Sequence, residues 1–384
     1  MTTLLLVIIY VAFISLGLPD SMLGAAWPVM QGELGLPLAG AGLVSMIVSG
    51  GTIISSLFSG ALIRRLGTGK LTLLSVLTTA LALLGYSFSR NYLWLCLIAV
   101  PLGLGAGAVD AALNDFVARN FAARHMNWLH SFWGVGATTG PLIMAFMLSQ
   151  TGRWQMGYRT VAIVQFTLVA ILAISLPLWK RFPNPASPQS SAGGSKLRRI
   201  RGLTPNLVAF FAYCAVEAST GLWAASFLVQ QRGLSRVLAA GGASAYYLGI
   251  TLGRFLNGFL SSHFDAKSLV RGGQAMIFLG IVLLFLPFPI LSLAGLMIIG
   301  LGCAPIFPTL LHETPRRFGA ENSAGLMGLQ MAVAYCGLTL MPPLLGLVVD
   351  RFGLHLYPLG LLLLALMLAF GTEQLNKMLA ENHT

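Results

Sequence analysis

Apolar stretches of about 18–27 residues recur along the whole chain, each long enough to cross a hydrocarbon layer about 30 Å thick. Twelve can be placed, near residues 4–30, 38–63, 71–88, 93–117, 127–149, 160–179, 205–230, 237–262, 272–290, 293–312, 324–349 and 356–372. In lipid every backbone polar group must be satisfied within its own segment, so spans of this kind are helices. The chain therefore reads as an all-α membrane protein with twelve transmembrane helices. Pro19, Pro28, Pro101, Pro141, Pro305, Pro308, Pro342 and Pro343 fall inside these spans. They suit a bundle, where neighbouring helices satisfy the groups that a proline frees. Only 9% of residues are charged and 56% are hydrophobic, against roughly 25% charged in a soluble domain.

The net charge of +12 does not point to nucleic acid. The basic residues sit mostly in short connections between spans, and no nucleic-acid-binding module is visible. With both termini cytoplasmic, 17 Lys and Arg fall inside and 6 outside. The inside set includes Arg64, Arg65, Lys70, Arg119, Arg124, Arg316 and Arg317; outside are Arg90, Arg153, Arg159, Arg232, Arg236 and Arg351. That asymmetry predicts a multi-pass protein of the cytoplasmic (inner) membrane. Met1-Thr2-Thr3 gives no basic leader before the first apolar run, so the first span is expected to stay uncleaved. Cys96, Cys214, Cys303 and Cys336 lie in apolar runs without CxxC spacing, which predicts neither disulfides nor a metal site.

The longest break runs from Lys180 to Thr204 and carries a Pro/Ser/Gly run followed by Lys196, Arg198, Arg199 and Arg201. It reads as a flexible cytoplasmic tether with a basic end facing lipid headgroups. It divides the chain into an N-terminal six-helix bundle (1–179), a linker (180–204) and a C-terminal six-helix bundle with a short tail (205–384). The halves repeat. GLGAGAVDAALNDFVARNF (103–121) aligns with GLGCAPIFPTLLHETPRRF (300–318) at an offset of 197, pairing Gly103 with Gly300, Gly105 with Gly302, Arg119 with Arg316 and Phe121 with Phe318. The same offset carries Asp20 onto Glu217. Internal repeats of this kind mark transporter folds with a site between the halves.

Four carboxylates lie in otherwise apolar spans: Asp20, Asp110, Asp115 and Glu217, out of only 11 acidic residues. A charge at mid-bilayer costs roughly 2.5–3.5 kcal/mol on insertion scales and commonly marks an ion or substrate path. Asp110 and Asn114 are four apart and share a helix face, beside the small residues Gly103, Gly105, Gly107, Ala108, Ala111 and Ala112. A carboxylate packed there is desolvated, with its charged form disfavoured, which suits it to loading and releasing a proton. Asp20, Asp110 and Glu217 are the coupling candidates. Asp115, one turn nearer the cytoplasm, reads as a gate or interfacial salt bridge with Arg119 or Arg124. Arg254 is a candidate partner for Asp20 or Glu217 across the halves.

His130, within MNWLHSFWGVGATTGP, is placed to hydrogen-bond a substrate or relay a proton. Trp27, Trp133, Trp223, Tyr246, Tyr335, Gln330 and Asn257 are candidate pocket walls. Aromatic faces stack on the C–H faces of sugars, and amides pair with hydroxyls. Trp133 and Trp223 are the favoured aromatics and Asn114 a further substrate contact.

Gly60, Arg65 and Gly67, in the connection after the second span, match part of the signature of the major facilitator superfamily, which the chain resembles over its whole length. Arg64 stands where an Asp is usual, and Arg65 is read as a gate residue. Within that superfamily the chain resembles the fucose permease branch of fucose–galactose–glucose:proton symporters. GAGAVDAALNDFV (105–117) is similar to the branch's fourth helix, where an acid followed four residues later by Asn serves proton coupling; Asp110 takes the place of a Glu. MNWLHSFWGVGA (126–137) is similar to its fifth helix, with His130 in place of a sugar-binding Gln. Aligned on Trp27-Pro28, the branch's coupling Asp falls at Gly24, one turn from Asp20.

The resemblance implies a major facilitator fold of two pseudo-symmetric bundles and a secondary transporter that rocks about a midplane site. It implies proton-coupled symport of a small polar solute, a hexose first, with a proton-coupled exporter of drugs or metabolites as the alternative. No cofactor is expected. The partners are substrate, protons and the bilayer, and a monomer is expected. No nucleotide loop or nucleophile elbow suggests an enzyme.

Overall fold

A computed structural model describes residues 2–121, 123–180, 182 and 202–380. Most of the 180–204 linker, with Lys196, Arg198, Arg199 and Arg201, lies outside the described residues, as does the side chain of Arg124. The described chain is helical throughout, as α1 (Thr2–Asp20), α2 (Met22–Leu34), α3 (Gly40–Leu66), α4 (Thr68–Tyr86), α5 (Tyr92–Asn120), α6 (Ala123–Thr151), α7 (Trp154–Trp179) and α8 (Leu203–Arg232). There follow α9 (Arg236–Leu260), α10 (Ala266–Phe285), α11 (Pro289–Cys303), α12 (Ile306–His312), α13 (Thr314–Phe318), α14 (Ala320–Phe352) and α15 (Tyr357–Ala380).

Eleven stretches among the described residues are long and apolar enough to cross a membrane. The remaining long helix, α9, has 25 residues but is diluted by Ser244, Thr251, Arg254 and Asn257. Two expected spans are each made of two helices. The first breaks at Ser21 between α1 and α2, and the tenth at Ala304–Pro305 between α11 and α12. Pro19 cannot donate to the Ser15 carbonyl; Gln165 Nε2 donates to it instead at 2.9 Å, and Thr79 donates to Gln165 Oε1 at 2.8 Å. The proline in the first span is thus satisfied by a neighbouring helix, as membrane bundles require.

The repeat in the sequence has a counterpart in packing. Gly103 of α5 lies against the Val48 backbone of α3, and Gly300 of α11 against the Tyr246 backbone of α9. Gly105 faces the Ser75 carbonyl of α4, and Gly302 the Gly273 carbonyl of α10. In both cases the partner is displaced by one residue more than the glycines. The chain therefore has the pseudo-symmetric all-α architecture that the repeat predicts.

The halves meet closely at the end where α2 finishes. A Cβ on Gly24 would come within 2.5 Å of the Gly221 carbonyl of α8, and one on Gly42 within 2.5 Å of Pro343 in α14. The Leu38 N–H donates to Asp350 Oδ1 at 2.7 Å, and Ser244 of α9 donates to the Thr138 carbonyl of α6 at 2.6 Å. Trp27, Trp154 and Trp223 are fully buried. Leu57, Ile174 and Phe259, all more than 70% exposed, project from the outer surface, as a lipid-facing wall requires.

Candidate transport site

Below that sealed end lies a cavity of about 240 Å³ between the two halves. Its charged walls are Asp20, which is exposed to it, and Glu217, from the helices that the repeat equates. Pro19 breaks the helical ladder just before Asp20. Glu217 lies in mid-α8, between the buried Val216 and the buried Ser219–Thr220 turn. Trp133 of α6 donates its indole N–H to Asp20 Oδ2 at 2.8 Å. Arg254 of α9 stands with its guanidinium carbon 5.0 Å from the centre of the Trp133 ring and its Nη2 3.6 Å from Glu217 Oε1. Tyr246 donates to the Glu217 backbone carbonyl at 2.9 Å. Two carboxylates, one guanidinium and an indole thus form a chain from α1 through α6 and α9 to α8. Tyr335 and Tyr247 add to the aromatic wall.

Asp110 and Asn114 share a helix face, as their spacing predicts. Asn114 Nδ2 donates to Asp110 Oδ1 at 2.9 Å and to the Asp110 carbonyl at 3.0 Å. Neither lines the 240 Å³ cavity. His130, one turn from Trp133, is exposed and stands edge-on to Phe13 at 5.9 Å between ring centres.

Several sequence-derived wall residues lie elsewhere. Trp223 is fully buried, donates to the Pro342 carbonyl at 3.0 Å and packs on Gly346. Gln330 is fully buried, donating to Asn206 Oδ1 at 2.7 Å and accepting from Thr314 at 3.1 Å. Neither touches the cavity, so both are corrected to packing positions. Trp27 donates to the Leu38 carbonyl at 3.0 Å, also away from it. Asn257, near the end of α9, holds a buried amide oxygen without a partner and does not line the cavity. Asp115 pairs with Arg119 at 2.5 Å within α5, so this bridge does not join the halves. Arg65 is exposed at the end of α3 and, among the described residues, makes no ion pair.

The sequence reading missed Ser45, Ser49 and Thr52, which line the cavity from α3. Their spacing of four and three places them on one helix face, a signal legible without the structure. Tyr86 and Tyr158 also reach the wall, stacked at 5.0 Å; they give no such signal.

This fold, with polar groups from both halves around a central cavity, defines a membrane transporter. A model of the Major Facilitator Superfamily matches residues 9–243 and 206–375, and the chain belongs to that superfamily. It is similar to the glucose/mannose transporter GlcP of Bacillus subtilis (strain 168), at 28% identity over 273 residues. That match covers 66% of this chain and 66% of the relative, just under two thirds of the latter's length. The hexuronate transporter of the same organism is 24% identical over 376 residues, covering 88% of this chain and 85% of that one. Solved structures share the fold. A mutant of the nucleoside transporter NupG superposes with a TM-score of 0.76 at 14% identity, over 97% of this chain and 98% of that one. A bacterial homolog of the human lysosomal transporter Spinster, inward-facing and occupied, gives 0.75 at 12% identity, over 98% and 96%. Family and neighbours are transporters, and the chain is a transporter rather than an enzyme.

Proposed function

We propose that this transporter is a proton-coupled symporter of a small polar solute, with a hexose as first choice. The observation that carries this reading is the different company kept by the three acids within the spans. Asp20 and Asp110 each accept a hydrogen bond from a neutral N–H, that of Trp133 and that of Asn114. Among the described residues neither has a cation within ion-pair distance. Glu217 has Arg254, so its charge is compensated in place. The proton is therefore assigned to Asp20 and Asp110. Glu217, Trp133 and Tyr335 hold the solute, with His130 on its exit path.

The likeness to a glucose/mannose transporter supports a sugar, as does an indole beside carboxylates. A volume of about 240 Å³ is below the roughly 300–1,000 Å³ of drug-sized ligand pockets, which disfavours the drug exporter. With the linker cytoplasmic, the sealed end faces outward and the cavity discharges inward. Residues 1–179 and 205–384 act as the two rocking bundles. One proton crossing 100 mV supplies about 2.3 kcal/mol, enough for roughly a fiftyfold gradient.

The test is uptake into proteoliposomes under an imposed pH gradient. Symport alkalinises the medium when sugar is added, and antiport acidifies it. Asp20→Asn and Asp110→Asn should each abolish uphill accumulation while leaving solute exchange intact. Either variant still concentrating sugar uphill sinks that residue's assignment.

A further inference from the structure

A second, larger cavity of about 650 Å³ opens at the end of the molecule where α2, α4 and α6 finish. It collects Arg90, Arg153 and Arg159, half of the six cations that the topology puts on this side, against a single acid, Glu33. The acid is already engaged: Trp154 Nε1 donates to its Oε2 at 2.5 Å and Gln155 Nε2 at 3.2 Å. Among the described residues, Arg90, Arg153 and Arg159 make no ion pair. The Arg159 guanidinium lies over the Phe88 ring at 5.2 Å, which covers its face and leaves its N–H edge for a ligand. Among the described residues its Nε is buried without a hydrogen-bond partner, and so is Gln155 Oε1. An unpartnered buried donor of this kind is costly unless something fills it. The N-terminus of α7 has no side-chain cap, so its first N–H groups add to the positive potential. At the rim, Phe88 and Trp94 are exposed, at 58% and 42%. Aromatic and apolar side chains of this kind settle at the headgroup level of a bilayer.

We propose that this pocket is an anion site that binds a phosphate-bearing group, either the headgroup of an anionic phospholipid or a free phosphate ester, between Arg90, Arg153 and Arg159. It is independent of the central cavity and of the coupling assignment.

The test is native mass spectrometry of the full chain in detergent, titrated with phosphatidylglycerol, phosphatidylcholine or glycerol phosphate. Wild type should hold one phosphatidylglycerol well above phosphatidylcholine. Arg90→Gln, Arg153→Gln and Arg159→Gln should each weaken that adduct roughly tenfold, the scale of one charge-assisted hydrogen bond. Glu33→Gln, which keeps an acceptor for Trp154 and Gln155, should tighten it; a gain cannot come from a damaged fold. Displacement of the lipid by glycerol phosphate assigns a soluble ester as the ligand, and resistance to it assigns the headgroup. Equal retention of phosphatidylcholine, or an adduct unchanged by the three arginine variants, overturns the site.

Discussion

Trp133 faces both signs of charge. Its indole N–H donates to Asp20 at 2.8 Å, while Arg254 lies 5.0 Å from its ring centre. Because Asp20 is on α1 and Arg254 on α9, one side chain of α6 connects the two halves at the cavity. Trp133→Phe keeps a face for the guanidinium but removes the donor, and should raise the KM for solute uptake about fivefold. Trp133→Ala loses the cation–π contact as well, for roughly a further threefold. Uptake kinetics in proteoliposomes check this; equal effects of the two substitutions would remove the hydrogen bond from the account.

Glu217 and Arg254 should behave as a unit. Each side chain is about one-fifth exposed, at 21% and 19%, so neutralising one leaves a largely buried charge uncompensated. Glu217→Gln and Arg254→Gln should each lower the unfolding midpoint, and the double variant should recover part of the loss. A coupling on the order of 1 kcal/mol is expected. Strict additivity in thermal unfolding would show that the 3.6 Å pair has no energetic content.

Gln330 separates packing from binding. Gln330→Leu strips Asn206 of its donor and leaves Thr314 only the Leu310 carbonyl, and should cost about 1–3 kcal/mol of stability. The KM should stay at the wild-type value in whatever fraction folds. A raised KM with unchanged stability would return Gln330 to the solute pathway.

Asp350 latches the sealed end by accepting the Leu38 N–H at 2.7 Å. Asp350→Ala should raise the population open at that end by about tenfold, since a hydrogen bond to a charged group is worth roughly 1.5 kcal/mol or more. Distances between spin labels on the facing ends of α3 and α14 report it. An unshifted distribution would leave closure to the glycine contacts alone.

The helices were legible because lipid leaves a backbone no alternative, so apolar length alone located nearly all of them. Breaks at Ser21 and Ala304–Pro305 were not, since a helix interrupted by proline still reads as one apolar run. α9 read as an ordinary span, yet its polar residues Ser244, Thr251 and Arg254 face α6 and α8 rather than lipid. At the site, spacing succeeded where the geometry of one helix sufficed, as with Asp110 and Asn114. It failed for Trp223, since six residues beyond Glu217 is about 240° around a helix, and so away from the cavity. Gln330 failed similarly, because its distance from Tyr335 sends the two side chains to different faces. Resemblance put the coupling acid at Gly24. The fold has no space for a side chain there; Asp20 lies one turn earlier.

That lack of space follows from how Gly24 and Gly221 meet. The repeat equates these two positions, and here they touch, main chain against main chain. A bearing made of bare peptide has no side chains to interlock or disengage, so the two lobes can roll over one another at little local cost. Anything bulkier at either residue would be a wedge driven into the fulcrum.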